Sequence, residues 1–247
     1  MDLPHPMNPT KYIPGVRLSL RIILRWRKPL RESHNSTMQT GMLPLFPLQV
    51  VLLPGAELPL HIFEERYKEM MTEVIRDHIE FGVVLAGDKG IANTGCTATV
   101  ERILRQYPDG RMDIVTNGRR RFEIMMLNDE RSFLRGTVEF FDDEEFEPTT
   151  PEIQARAIEG YNALQALSSN DPLEVLERNK PQLSFLLAQP VPDLTFRQGL
   201  LATRSEAARL RQIAEFLPGY LMRQRRLQHV KEVAPRNGHG GGLTGLE

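Results

Sequence analysis

The chain has 247 residues, of which 40% are hydrophobic and 26% are charged, and its formal net charge is −1. This length and composition suffice for a sizeable buried core, and the near-zero net charge excludes a global field that would attract nucleic acid. The single cysteine, Cys96, excludes an internal disulfide. No apolar run approaches the roughly 20 residues of a membrane-spanning helix, and we expect a cytoplasmic protein.

The first 41 residues differ in composition from the rest of the chain. Residues 1–38 carry seven basic and two acidic side chains, so this end is strongly basic. Between Val16 and Trp26 the spacing of apolar residues and arginines fits both a strand and a helix. We predict that residues 1–41 form a disordered extension, because a short charged arm seldom folds alone. The alternatives are a membrane-surface or nucleic-acid-binding arm, or an arginine-rich targeting peptide.

Residues 43–67 contain three short apolar runs that prolines interrupt. The Pro54–Gly55 pair predicts a tight turn, because proline presets one dihedral angle and glycine accepts a positive φ. Proline cannot donate a ladder hydrogen bond, so we expect these strands at sheet edges or bulges. The third run ends at Phe63, and the charged residues that begin at Glu64 predict the start of a helix.

The region up to residue 141 is predicted to be mostly β-structure with one early helix. Residues 67–75 place their apolar side chains on one helical face. The predicted strands cover residues 81–86, 96–107, 112–116, 121–127 and 134–140. Turns are predicted at Tyr107–Gly110 and at Asn117–Gly118, where proline, asparagine, aspartate and glycine favour chain reversal. Many short strands beside one helix predict a closed or half-closed barrel.

An acidic stretch, residues 142–148, links this region to a helical one. The predicted helical features are, in order, a start at Thr150–Pro151, a start at Asp171, a segment at 183–188, a helix at 194–202 capped by Asp193, and a helix from Ser205. Pro218–Gly219 is expected to break or kink this last helix, which continues as a basic tail at 220–232. Residues 233–247 are rich in glycine and predicted to be disordered. We therefore predict a β-rich subdomain at 42–145 and a helical subdomain at 146–232.

These patterns resemble the Lon substrate-binding domain, the amino-terminal domain of the ATP-dependent Lon proteases. The residues that carry the resemblance are Pro44, Phe46, Pro47, Pro54, Gly55, Pro59, Phe63, Glu64, Arg66 and Tyr67, followed by Gly118, Arg121 and Phe122. Gln198–Leu201 with Arg209 extends it into the helical region, where Arg197 replaces the usual lysine. The resemblance implies an α+β fold, in which a PUA-like β pseudo-barrel precedes a helical bundle. It also implies mostly structural roles for these residues, with Arg121 bracing the barrel.

The chemistry of a complete Lon protease is not expected in this chain. The sequence has no G-x-x-x-x-G-K-[ST] motif, so a phosphate-binding loop is absent. His61 and His78 lack partners at metal-ligand spacing, which argues against a metal site, and His61 is interpreted as a core histidine. We expect a stand-alone substrate-binding domain that has no catalytic residues, no metal and no cofactor.

The candidate binding surface consists of Met125, Met126 and Arg120. Alternation along a strand predicts that one of the two methionines faces away from the core, and flexible methionine side chains suit an adaptable contact surface. Arg120 is expected on the solvent face.

The predicted function is non-catalytic recognition of unfolded or extended polypeptides, or of a protein partner, in connection with proteolysis. The alternatives are a peptidase or other hydrolase, and binding of nucleic acid or a membrane surface through the basic arm. The sequence leaves a homodimer open.

Overall fold

The computed structural model describes residues 42–88, 90–144, 148–168 and 181–233. The predictions for the basic extension at 1–41, for the helix start at Asp171 and for the tail from 234 onward lie outside the described residues.

The described residues form six strands and five helices. The strands are β1 (Leu43–Leu48), β2 (Glu57–Ile62), β3 (Phe81–Gly87), β4 (Gly90–Gln106), β5 (Met112–Asn128) and β6 (Arg135–Phe141). The helices are α1 (Glu65–Asp77), α2 (Pro151–Ser168), α3 (Leu183–Ala188), α4 (Leu194–Ala202) and α5 (Glu206–Val233).

All six strands belong to one mixed sheet with the order β2-β5-β4-β3-β1-β6. Only β1 and β3 are parallel, and every other pair is antiparallel. Strand β6 pairs with both β1 and β5, so the pairings of β1, β3, β4, β5 and β6 form a closed circuit. Strand β2 lies outside this circuit and pairs with β5 alone among the described strands.

The prolines of the first third of the chain sit where a missing amide hydrogen is tolerated. Pro59 lies in β2, opposite Val115 of β5, and β2 is an edge strand. Pro54 and Gly55 form the predicted turn, in which Gly55 has a φ of 74° and its amide donates to the Gly118 carbonyl at 2.8 Å. This turn therefore ties the segment before β2 to the middle of β5.

The predicted turn at Asn117–Gly118 is wrong, because both residues lie inside the continuous strand β5. Glycine is needed there for close packing rather than for a chain reversal. A Cβ atom at position 118 would lie against the carbonyl oxygen of Leu53 and 3.1 Å from the Leu52 side chain. Gly118 is therefore required by its close contact with the segment around Leu53, although the local sequence predicts a turn there.

Helix α1 packs its predicted apolar face against the sheet. Tyr67, Met70, Met71 and Val74 are buried on that face. The Tyr67 ring lies 4.2 Å from the Phe46 ring of β1, centroid to centroid. This contact connects the first strand of the sheet to the first helix.

The helical region begins as its capping residues predict. The Thr150 hydroxyl accepts the amide of Ile153 at the start of α2, at 3.4 Å. Asp193 accepts the amide of Phe196 at the start of α4, at 2.9 Å. Helix α2 packs on α5, which also contacts α3.

Pro218 does not break α5, which runs without interruption to Val233. Pro218 is exposed, so its ring lies on the solvent side of the helix, where water can satisfy the carbonyl that loses its amide partner.

Candidate binding surface

A bulge in the second half of β5 exposes both candidate methionines. Ile124 pairs with Val138 and Met126 pairs with Thr137, so Met125 is an extra residue between two consecutive pairs. Met125 and Met126 are 63% and 64% exposed. Alternation alone predicts an outward position for one of them, and the bulge exposes both because it interrupts the alternation of side chains.

Leu127 extends this exposed segment, since it follows Met126 and is 48% exposed. We call Met125, Met126 and Leu127 together the β5 apolar surface. The preceding residue, Ile124, packs on a buried cluster of Leu43, Leu45, Val84 and Phe122. The surface therefore lies directly beside a well-packed part of the sheet.

Arg120 does not join this surface. Its guanidinium donates to the Glu80 carboxylate at 3.2 and 3.0 Å and lies 3.9 Å from the centre of the Phe140 ring. Phe140 is three residues from Thr137 along β6, which is about 10 Å of strand. The structure thus places Arg120 on the solvent face, in an ion pair, and away from Met126.

The residues that resemble the Lon family at the start of the chain mostly pack against one another. Phe46 is buried between Tyr67 and Phe81. Arg66 lies 4.5 Å above the Tyr67 ring and 2.7 Å from the Glu64 carboxylate. Burial raises the pKa of Tyr67, and the nearby Arg66 charge opposes that rise only in part. Glu64 occupies the position before α1 but makes no side-chain capping bond.

Pro44 and Pro47 lie in β1, which pairs with β3 on one side and β6 on the other, so the expectation of a sheet edge is wrong for this strand. Pro44 faces Arg135 of β6, and Pro47 faces Val84 of β3. Phe122 is fully buried in the cluster beneath the β5 apolar surface.

Arg121 joins the sheet to the helices. Its guanidinium donates to the Thr203 carbonyl at 2.7 Å and to the Asp143 carboxylate at 2.7 Å. Burial lowers the pKa of Arg121, and the neighbouring Arg209 lowers it further. Arg209 is completely buried and donates to both carboxylate oxygens of Asp143, at 2.6 and 2.7 Å. Asp143 therefore pairs with two buried cations, and Glu206 provides Arg209 with a second carboxylate at 2.7 Å.

Arg197 and Gln198 make a second connection between the helices and the sheet. Arg197 donates to the Val51 carbonyl at 2.5 Å, and Gln198 donates to the Thr94 carbonyl at 2.9 Å. Burial lowers the pKa of Arg197 to about 10. Arg197 thus serves as a cationic donor to a backbone carbonyl.

Phe63 is the large apolar member of the motif that is exposed, with 57% of its surface accessible. Its ring stacks on His61 at 5.8 Å, and His61 Nδ1 lies 2.5 Å from Asp113 Oδ1. The Tyr107 hydroxyl donates to the other oxygen of Asp113 at 2.9 Å. The hydrogen bond from His61 is the main reason that the pKa of Asp113 is lowered.

The interpretation of His61 as a core histidine is wrong, because its side chain is partly exposed. The local sequence contained part of the signal: Phe63 directly follows β2 and is two residues from His61, a spacing that places both on one face of an extended chain. The pairing of β2 with β5, which sets His61 opposite Asp113, could not be read from the local sequence.

The described residues offer little for covalent or metal chemistry. Cys96 is the only cysteine of the chain; it is fully buried, and burial raises its pKa to about 12. A thiol in that state is not a nucleophile at neutral pH. Within the described ranges, no group of three or more potential ligands could hold a metal ion. None of the helices found there combines the length and apolar character that a membrane crossing requires.

Comparison with known proteins agrees with this geometry. The family model of the ATP-dependent protease La (LON) substrate-binding domain matches residues 42–218, which is more than half of the chain. The Lon protease of Parabacteroides distasonis is 28% identical over 122 residues, which are 46% of this chain and 15% of that protease. The Lon protease of Porphyromonas gingivalis is 24% identical over 191 residues, or 70% of this chain and 22% of that protease. The chain therefore spans less than a quarter of the length of these curated relatives.

Solved structures show the same fold. The crystal structure of a Lon N-terminal domain protein from Xanthomonas campestris has a TM-score of 0.58 at 26% identity and covers 71% of this chain and 98% of that chain. The N-terminal domain of the Mycobacterium avium complex Lon protease has a TM-score of 0.54 at 18% identity, with coverage of 72% and 98%. The mixed sheet and its helices are those of a Lon N-terminal domain, and the chain belongs to the LON substrate-binding domain family.

Proposed function

We propose that this protein is a non-catalytic module that recognises unfolded or extended polypeptides through the β5 apolar surface. The observation that carries the proposal is the bulge at Met125, which turns three consecutive apolar side chains toward solvent. Exposed apolar residues that lie next to one another favour a binding role, whereas single ones are ordinary. Methionine fits many partners because its side chain is unbranched and polarisable.

The size of the surface is consistent with weak, broad recognition. Complete burial of one large apolar side chain contributes about 2 kcal/mol. Three partly exposed side chains therefore supply several kcal/mol before the cost of association is subtracted. We expect affinities in the micromolar range or weaker, which suits a module that meets many sequences.

The finer architecture is part of the same proposal. The closed circuit of five paired strands supports a pseudo-barrel, and the packing of α2, α3 and α5 supports a helical bundle. We propose the subdomain boundaries at 42–145 and 146–232, a location in the cytoplasm, and a link to proteolysis through the family. The match to a substrate-binding domain supports recognition rather than catalysis.

A binding assay with a chemically denatured model protein tests the proposal. The wild-type chain is expected to bind the denatured form and not the folded form, as measured by fluorescence anisotropy. Replacing both methionines, Met125→Ser with Met126→Ser, is expected to weaken binding about tenfold, because two large apolar contacts are lost.

The matched control is Met222→Ser, since Met222 is 60% exposed but lies on α5. The Met222→Ser variant should bind the denatured protein with the affinity of the wild type. Equal binding by the double variant and the wild type would remove the β5 apolar surface from the proposal.

A further inference from the structure

The end of β5 has a free backbone edge. The pairing of β4 with β5 stops at Thr94 and Glu123, whereas the pairing of β5 with β6 continues to Asn128. The edge of residues 124–128 that would face β4 therefore has no strand partner among the described residues. Backbone donors and acceptors on such an edge are a template for another extended chain.

The outer edge of β2 differs from this edge in one decisive respect. Strand β2 also has an unpaired side among the described strands, but Pro59 lies in its middle. Proline has no amide hydrogen, and its place on an edge strand obstructs the addition of another strand. Residues 124–128, Ile-Met-Met-Leu-Asn, contain neither proline, glycine nor charge. The outer edge of β2 is thus obstructed, whereas the edge at residues 124–128 is available.

Two exposed carboxylates adjoin one end of the available edge. Asp129 and Glu130 directly follow Asn128. Within the described part of the chain neither of them forms an ion pair. A basic residue next to an apolar segment of a bound chain would meet these charges.

We propose that the free edge at residues 124–128 binds an extended polypeptide by strand addition, with selection for an apolar segment that has basic residues at one end. This inference rests on the proposed recognition function and specifies its mode and its substrate class. Backbone pairing provides affinity for many sequences, while the β5 apolar surface and the carboxylates of Asp129 and Glu130 select among them.

The test uses the full chain and a synthetic peptide of alternating valine and threonine with two lysines at each end. Amide hydrogen exchange, followed by NMR, is expected to slow at least about tenfold on the free-edge amides of residues 124–128 when the peptide is bound. The amides of Glu57 and His61 in β2 are the internal control and should not change.

Two further peptides separate backbone pairing from side-chain contact and from charge. A peptide with the same side chains and methylated backbone nitrogens should lose binding, because it cannot donate to the edge. A peptide with glutamates in place of the terminal lysines should bind about fivefold more weakly at low salt, and this difference should shrink as salt is added.

Each failure has a distinct meaning. Suppose that denatured protein binds in a methionine-dependent way, but the methylated peptide binds as well as its parent and amide exchange at residues 124–128 is unchanged. Strand addition is then overturned, and the proposed function stands. If the two charge variants bind equally, the selection for basic residues at one end is overturned. If neither denatured protein nor peptide binds, the inference and the proposed function both fall.

Discussion

Single residues in this protein are fixed by neighbours that are distant in sequence. Gly118 is a glycine because the segment around Leu53 crosses β5 at that point. Arg121 and Arg209 are tolerated in the interior because Asp143 and backbone carbonyls receive their hydrogen bonds. None of these dependencies is visible in a local window of sequence.

Gly118→Ala is expected to lower the free energy of unfolding by about 2–4 kcal/mol, since the new methyl group meets a backbone oxygen that cannot rotate away. Urea denaturation measures the change. Gly199→Ala is the control, because a Cβ at that helical position meets nothing within 4 Å. The control should be stabilised by about 0.5–1 kcal/mol. An unchanged free energy of unfolding in Gly118→Ala would contradict the close contact between Gly118 and the Leu53 carbonyl.

Asp143→Asn is expected to lower the free energy of unfolding by on the order of 3 kcal/mol, because buried Arg121 loses the carboxylate to which it donates and buried Arg209 keeps only Glu206. The exposed pair of Asp109 and Arg111 provides the control, and Asp109→Asn should change stability little. If both variants were equally stable, the role assigned to Asp143 would be wrong.

The carboxylate of Asp143 should also make the stability of the protein depend on pH. Burial alone would raise the pKa of Asp143, but the hydrogen bonds and charges of Arg209 and Arg121 outweigh it and lower the pKa below its ordinary value. The stability that it contributes is therefore complete above the unfolded pKa of about 4 and is lost as the pH falls through the lower folded value. Unfolding curves between pH 6 and pH 2 should show a smaller acid-induced loss in Asp143→Asn than in the wild type.

Elements with strong local signals were predictable from the sequence. The apolar face of α1, the cap at Asp193, the segment Leu183–Ala188 and the turn at Tyr107–Gly110 all follow from short-range rules. The bulge at Met125 was not predictable, because it depends on the register between β5 and β6. The exposure of both methionines, and hence the extent of the candidate surface, required the structure.

Pro218 is expected to lower the stability of helix α5, and its replacement should therefore raise the free energy of unfolding. Pro218→Ala restores the amide that a helix interior normally uses, so the free energy of unfolding is expected to rise by about 1–3 kcal/mol. Thermal and urea denaturation give the change. Pro192→Ala, at an exposed position before α4, should have a smaller effect. A loss of stability in Pro218→Ala would mean that the proline is required for the packing of α5.

At the scale of the whole molecule, the helices are joined to the sheet by Asp143, Arg197 and Gln198, while the β5 apolar surface lies beyond the end of the β4–β5 pairing. The stabilising contacts and the candidate surface are therefore on different residues. Variants of the surface can lose binding while the fold is retained, which makes the proposed function testable in the intact chain.

The most direct measurement is a methyl NMR spectrum of the full chain labelled at its ten methionines, recorded with and without a denatured model protein. Single substitutions to leucine assign the signals. The proposed function predicts that the Met125 and Met126 methyl signals shift or broaden, while those of exposed Met222 and buried Met70 stay unchanged. Changes confined to Met222, or no change at saturating concentrations, would contradict recognition by the β5 apolar surface.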